Sequence, residues 1–123
     1  MSKKTYFAAS IISAAITASA PVWAEQPETR VLRIPAGLCE DFKASLIKWA
    51  SRTRGHAAYA VPVVPRGSNY TCDNPGPVVP AAFSFNYDSQ PPADRRARTD
   101  CNVTKPEGYR NCVVIGRAAP ASK

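Results

Sequence analysis

Four cysteines in a short chain constrain the fold more than any other feature of this sequence. Cys39, Cys72, Cys101 and Cys112 are the complete set, and no two of them are closer than eleven positions. A zinc site needs close ligand pairs such as C-x2-C, so this spacing argues against zinc. An even number of cysteines in a short exported chain predicts a disulfide framework instead.

Four cysteines allow three pairings, and the spacing favours one of them. The segment between Cys101 and Cys112 contains a Pro106-Glu107-Gly108 turn, so it can fold back and bring the two cysteines within bridging distance. Cys39 and Cys72 then form the second bridge. We expect that second bridge to tie a helix to the sheet, because Cys39 begins the predicted helix and Cys72 ends the segment that returns after it.

The first 24 residues carry the three parts of a secretory signal peptide. Two lysines form a short, bacterial-looking n-region, residues 7–20 form the apolar h-region, and Pro21 ends it. The apolar run is too short for a membrane-spanning helix, which needs about 20 residues. We therefore predict cleavage after Ala24, a periplasmic or secreted location, and one mature domain over residues 25–123 without a membrane span.

The positive charge favours anionic partners. The formal charge of the chain is +7, and removal of the two leader lysines leaves +5. A protein or an anionic envelope polymer fits this charge. A nucleic acid is compatible with it, but no motif supports one. The alternative is that the charge only keeps a small domain soluble.

Arg95, Arg96 and Arg98 form the sharpest local cluster of charge. Guanidinium groups bind carboxylates and phosphates through paired hydrogen bonds, so these three arginines are the candidate binding residues. Asp94 and Asp100 flank the cluster and partly neutralise it. The alternative interpretation is therefore a solvated loop.

The apolar spacing predicts one amphipathic helix over residues 38–54. Its face consists of large apolar residues at intervals of four, four and three: Leu38, Phe42, Leu46 and Trp49. Residues 31–34, 57–64, 78–87 and 112–116 are strand candidates. Pro62 predicts an edge or interrupted strand, because proline removes a ladder hydrogen bond.

Two further segments are predicted to be irregular. Residues 88–100 are polar and contain Pro91 and Pro92, which predicts a mobile loop, and a flexible tail is expected from about residue 118. Phe83, Phe85 and Tyr87 are expected to share one face of their strand. The fold class is therefore α+β, with one helix on a small, mainly antiparallel sheet stapled by two disulfides.

No catalytic residue, metal site or cofactor is predicted. The chain has no G-x-S-x-G elbow, no glycine-rich phosphate loop and no calcium-loop spacing of acids. His56 is the single histidine, and nothing in the sequence identifies an acid–base partner for it. A histidine that follows a helix end also caps carbonyl groups, which is the alternative role.

The segment over residues 31–59 resembles the start of the secretin and TonB short N-terminal domain and of related secretion or pilus accessory proteins. A strand leads through an Ile-Pro-Ala-Gly-Leu turn into a helix that ends near Thr and Gly. The matching positions are Ile34, Pro35, Ala36, Gly37, Leu38, Leu46, Trp49, Ala50, Thr53, Gly55 and Tyr59. The four cysteines and an extra helical turn after Leu38 depart from that family. The resemblance implies a periplasmic protein-interaction module.

Two functions follow from these observations. The first is an exported non-catalytic module that binds a protein or an anionic envelope component. The second is a small secreted cationic enzyme, such as a nuclease or cell-wall hydrolase, that acts on an anionic polymer. A cleft that joins His56 to an acid and an arginine would favour the enzyme. An exposed apolar patch or a bare strand edge would favour the module.

Overall fold

The computed structural model describes residues 29–121, so the predicted signal peptide and its cleavage site lie outside the described residues. Six elements follow one another along the chain. They are β1 (Arg30–Arg33), α1 (Glu40–Arg52), β2 (His56–Val63), β3 (Ala82–Tyr87), α2 (Gln90–Thr104) and β4 (Arg110–Pro120). No helix in this part of the chain is long and apolar enough to cross a membrane.

The four strands form one sheet in the order β1-β4-β2-β3, and every neighbouring pair is antiparallel. The last strand therefore lies between the first two. β1 pairs with the far end of β4, where Arg30 is opposite Pro120 and Arg33 is opposite Arg117. Within residues 29–121, β1 and β3 are the two edges of the sheet.

The prediction of a single helix is wrong, because residues 90–104 form a second helix, α2, where a mobile loop was expected. Pro91 and Pro92 lie in its first turn, where backbone N–H groups have no acceptor within the helix and proline is tolerated. Ala93, Ala97 and Cys101 recur every four residues, and all three are fully buried. This spacing places them on one face, which packs on the sheet.

The two helices cover opposite faces of the sheet. The core beneath α2 includes Ala58 and Ala60 of β2, whereas the core beneath α1 includes Ala57. Successive side chains of a strand point to opposite faces, so this alternation identifies the two layers. The α2 interface consists mostly of small side chains, and Ser84 of β3 donates a 2.6 Å hydrogen bond to the carbonyl oxygen of Ala93.

Large side chains fill the space between α1 and the sheet. Leu46 is fully buried and packs over Gly116 of β4. Phe42 and Trp49 contact the ring of Tyr59 on β2, with centroid distances of 6.1 and 5.3 Å. The apolar face predicted for this helix is therefore the face that packs, and the helix begins and ends two residues inside the predicted bounds.

Two disulfides are present, as predicted, and they join Cys39 to Cys72 and Cys101 to Cys112. Their structural roles differ from the expectation. Cys39 occupies the N-cap position of α1 without a side-chain capping hydrogen bond, and Cys72 lies in the long connection between β2 and β3. The bridge that fastens a helix to the sheet is the other one, which joins α2 to β4.

The strand bounds also differ from the expectation. β4 continues to Pro120, so Ala118, predicted as the start of a flexible tail, is fully buried between β1 and β2. The prediction of an edge or interrupted strand at Pro62 is confirmed, although β2 itself continues to Val63: pairing with β3 ends at Ala60 opposite Ala82, and the register with β4 shifts between Val61 and Val63. Such an irregularity accommodates a proline that cannot donate to the ladder.

Candidate functional site

A surface groove lies between α1 and the edge strand β3, with a volume of about 380 Å³. We call it the aromatic groove. Its lining residues come from α1 and its C-terminus, β2 and β3, and they are Ser45, Lys48, Trp49, Arg52, Thr53, Tyr59, Phe83 and Phe85. The groove therefore joins four aromatic rings to two cationic side chains.

The four rings form a continuous row. Tyr59 stacks on Phe83, with ring centroids 6.2 Å apart and planes 11° from parallel. Trp49 meets Tyr59 and Phe83 edge to face, and Phe83 contacts Phe85 at 6.4 Å. These distances are typical of aromatic pairs that stabilise one another beyond simple burial. The row is a preformed apolar platform.

The outer half of this platform is open. Phe83 and Phe85 are 51% and 50% exposed, although they lie on a sheet face that α1 covers elsewhere. They belong to the edge strand, and α1 packs over Tyr59 and Gly116 on the inner strands. Contiguous exposed rings are uncommon on a monomer and mark interaction sites.

The inner half of the platform is buried. Burial raises the pKa of the Tyr59 phenol above its usual value, because the charged form is poorly solvated there. The indole Nε1 of Trp49 is also buried, and it has no hydrogen-bond partner among the described residues. An unpaired buried donor costs about 1–3 kcal/mol, so the indole ring is held here at the expense of stability.

The rim of the groove is positively charged. Lys48 and Arg52 lie one helical turn apart on α1, and neither forms an ion pair with any described residue. The described residues that line the groove include no acid. A ligand with apolar groups and a negative charge therefore fits both the platform and the rim.

The edge of β3 beside the groove lacks the usual protection against strand pairing. Charged side chains and prolines normally block pairing at a sheet edge. β1, at the opposite edge, is short and carries two arginines, whereas Ala82–Tyr87 has neither a charge nor a proline. Only its end is irregular, where Asn86 has a φ of 73° and its N–H donates to the carbonyl of Arg54.

The three arginines predicted as binding residues lie on α2. Taking Ala97 as the middle of the buried face, Arg96 and Arg98 project about 100° to either side, and Arg95 projects about 160° away. Arg96 is also paired with Asp100 at 3.1 Å. The helix therefore spreads these guanidinium groups instead of gathering them into one clamp, and their binding of an anion stays a prediction.

His56 begins β2, and its Nδ1 lies 3.4 Å from the carbonyl oxygen of Tyr87. The cavity beside it is lined by arginines, and none of the described residues lining it is a carboxylate. Residues 29–121 also contain no cluster of three metal-ligating side chains. Among the described residues that line this cavity, His56 is therefore accompanied by arginines and not by the acid that a histidine–acid pair would require.

In comparisons with known proteins, no family model, curated protein or solved structure matches this chain. The site is therefore argued from its own geometry. Sequence reasoning placed Trp49 and Phe83 on apolar faces without recognising that they meet. The one signal that could have found the groove is the absence of charge from residues 77–87, an apolar run that contains two exposed phenylalanines.

Proposed function

We propose that this chain is exported, is cleaved after Ala24, and acts as a non-catalytic interaction module. Its aromatic groove binds an extended, acidic segment of a partner protein. The observation that carries the proposal is the half-exposed row of rings beside an unprotected strand edge and a cationic rim. The two disulfides support an oxidising compartment. The resemblance of residues 31–59 to a periplasmic interaction domain points the same way.

The partner segment binds by strand addition. Its backbone pairs with the open edge of β3, and its alternate side chains point toward the face that carries Phe83 and Phe85. Main-chain hydrogen bonds supply affinity, and the rings select apolar side chains. An acidic residue in the same segment lies near Lys48 and Arg52, which selects against neutral or basic segments.

Charge distinguishes this partner from a second copy of the chain. Pairing of β3 with β3 in a symmetric dimer would bring two cationic rims close together, in a cleaved chain whose formal charge is still +5 after the two leader lysines are subtracted from +7. Like charges across an interface oppose association. An acidic partner instead neutralises the rim.

The experiment measures the binding of fluorescent ten-residue peptides by polarisation. In the first peptide every second residue is serine and the intervening positions alternate valine with glutamate, so that both residue types point to the groove face of the added strand. The second peptide has lysine in place of each glutamate. We expect the glutamate peptide alone to bind, and we expect N-methylation of its alternate backbone amides to abolish binding. Replacing Phe83 and Phe85 together by serine should weaken binding at least tenfold. Val103→Ser is the matched control, because Val103 is 79% exposed on α2.

Two results would overturn the proposal. Equal binding of both peptides would remove the role of the rim, and an equal loss in the Val103→Ser variant would remove the role of the groove. Reversing the charge of the rim with Lys48→Glu and Arg52→Glu gives a positive test. That variant should bind the lysine peptide in preference to the glutamate peptide.

A further inference from the structure

A second cavity, of about 220 Å³, lies on the opposite face of the sheet from the aromatic groove. We call it the basic cavity. It opens where β1 and β4 extend past the start of α2, and its lining residues are Val31, Arg33, His56, Gln90, Arg117, Ala119 and Pro120. No acidic side chain is among these described residues.

The two arginines that line the basic cavity are direct cross-strand partners. Arg33 of β1 is opposite Arg117 of β4, so their side chains leave the same face of the sheet from neighbouring positions. Like charges in this arrangement destabilise a strand pair. No ion pair or hydrogen bond is found for the Arg33 side chain within the described part of the chain. The charge of Arg33 is therefore not compensated by any described side chain.

A polar network fixes the position of Arg117. Its Nε donates a 2.8 Å hydrogen bond to Oδ2 of Asp94, whose side chain is only 13% exposed. Gln90 donates from Nε2 to Oδ1 of the same carboxylate at 2.9 Å, and also to the carbonyl oxygen of Ala57 at 2.9 Å. The two Nη nitrogens of Arg117 make no hydrogen bond to the described residues. They are thus pre-positioned donors beside Arg33.

We infer that the basic cavity binds a phosphate group. Two guanidinium groups on adjacent strands carry two positive charges and several parallel donors. A carboxylate offers one negative charge, whereas a phosphate monoester carries nearly two and presents three acceptor oxygens, so it matches the pair of arginines in charge as well as in hydrogen bonding. The ring of His56 lines the same cavity and adds a further nitrogen. The group comes from free phosphate or from a phosphate monoester on an envelope lipid.

The proposal is tested by titrating the exported protein with inorganic phosphate at constant ionic strength, followed by NMR of the Gln90 side-chain amide and the Arg117 Nε–H. We expect saturable shifts of both signals. Arg33→Gln should raise the dissociation constant at least tenfold. Arg66→Gln is the matched control, because it removes the same charge from the loop beyond the opposite end of β2, about 20 Å or more from His56. This variant should change the dissociation constant for phosphate less than twofold.

The two sources are separated by vesicles of phosphatidylcholine with and without phosphatidic acid, which carries a phosphate monoester. Binding only to vesicles that contain phosphatidic acid, with competition by inorganic phosphate, identifies a lipid headgroup. Saturable binding of inorganic phosphate without binding to vesicles identifies the free ion. Non-saturable shifts, or equal weakening by Arg33→Gln and Arg66→Gln, would overturn the inference. The variant with Phe83 and Phe85 replaced by serine keeps the basic cavity. It should therefore bind phosphate as the parent protein does, even if it no longer binds the peptide, and this separates the two proposals.

Discussion

Arg30 donates a 2.7 Å hydrogen bond from Nη1 to the carbonyl oxygen of Gly55, and so the first residue of β1 caps the chain that leaves α1. The same guanidinium group donates from Nη2 to Oγ1 of Thr53 at 2.8 Å and from Nε to the carbonyl oxygen of Ala50 at 3.4 Å. The last carbonyl groups of a helix have no partner within it. One arginine therefore supplies the end of α1 with cationic donors, as the helix dipole favours.

Replacing Arg30 by glutamine should destabilise the domain. The change removes the charged donor to the carbonyl oxygens of Ala50, in the last turn of α1, and of Gly55 beyond it, and we expect the free energy of unfolding to fall by about 1–3 kcal/mol. Urea denaturation measures it. The matched control is Arg33→Gln in phosphate-free buffer, which we expect to stay within about 0.5 kcal/mol of the parent protein. Equal losses in the two variants would contradict the capping role of Arg30.

The two disulfides should differ in their resistance to reductant. Cys72 is exposed, whereas Cys101 and Cys112 are buried, with exposures of 0% and 4%. We expect mild reductant to open the Cys39–Cys72 bridge first, with alkylation of the second pair only after denaturant is added. Peptide mapping of alkylated cysteines measures the order, and early alkylation of Cys101 would disprove it.

Removing the exposed bridge also measures its contribution to stability. Chain-entropy arguments give up to about 4 kcal/mol for a separation of 33 residues. We expect the Cys39→Ser, Cys72→Ser double variant to fold with reduced stability by thermal unfolding, because the bridge that joins α2 to β4 is still present.

Tyr59 should make the stability fall in strongly alkaline solution. Burial raises the pKa of its phenol in the folded state, so the unfolded chain loses this proton at a lower pH than the folded domain does. The contribution of the protonated Tyr59 phenol to the free energy of unfolding is complete below a pH of about 10 and is lost as the pH rises through the folded-state pKa. In urea denaturation at several pH values, Tyr59→Phe should therefore show a smaller loss of stability at alkaline pH than the parent protein. Tyr70→Phe, which removes an exposed phenol, should leave it in place.

The exported protein should begin at Glu25. The expectation depends on the small residues Val22 and Ala24 before a polar segment, after an apolar run too short to span a membrane. Intact-mass spectrometry of protein recovered outside the cytoplasm measures the N-terminus. Recovery of the chain with Met1 or Ser2 as its first residue would contradict both the cleavage and the predicted location.

The helix that could be predicted is the one with large apolar residues. Leu46 and Trp49 gave α1 a clear periodic face, which the structure confirms. The buried face of α2 consists of Ala93, Ala97 and Cys101, whose small side chains give little periodic signal. Two prolines at its start are also typical of loops, and only the helix itself shows that they lie in the first turn. This is why a real helix was predicted to be a loop.

The candidate sites depended on pairings that no local pattern reveals. The alternation of Phe83 and Phe85 predicted a shared face correctly, and their rings are in contact. Tyr87 was expected on the same face, but it packs on the α2 side, because Asn86 adopts a left-handed conformation and the strand register shifts. The register that places Arg33 opposite Arg117 joins positions far apart in the chain. Such a pairing could not be read from spacing.

The central position of β4 has a consequence for the order in which the domain can form. β1 and β2 come from the first half of the described chain, yet they never pair with each other, and β4 alone connects them in the sheet. A nascent chain that ends before residue 110 therefore has no completed sheet against which α1 can pack. Sheet completion must follow synthesis of the C-terminal segment, and contacts this distant in sequence are typical of slow folding. Until then β1 has no strand to pair with and Leu46 lacks the Gly116 surface on which it packs, so the α1 side of the domain is the last part that can assemble.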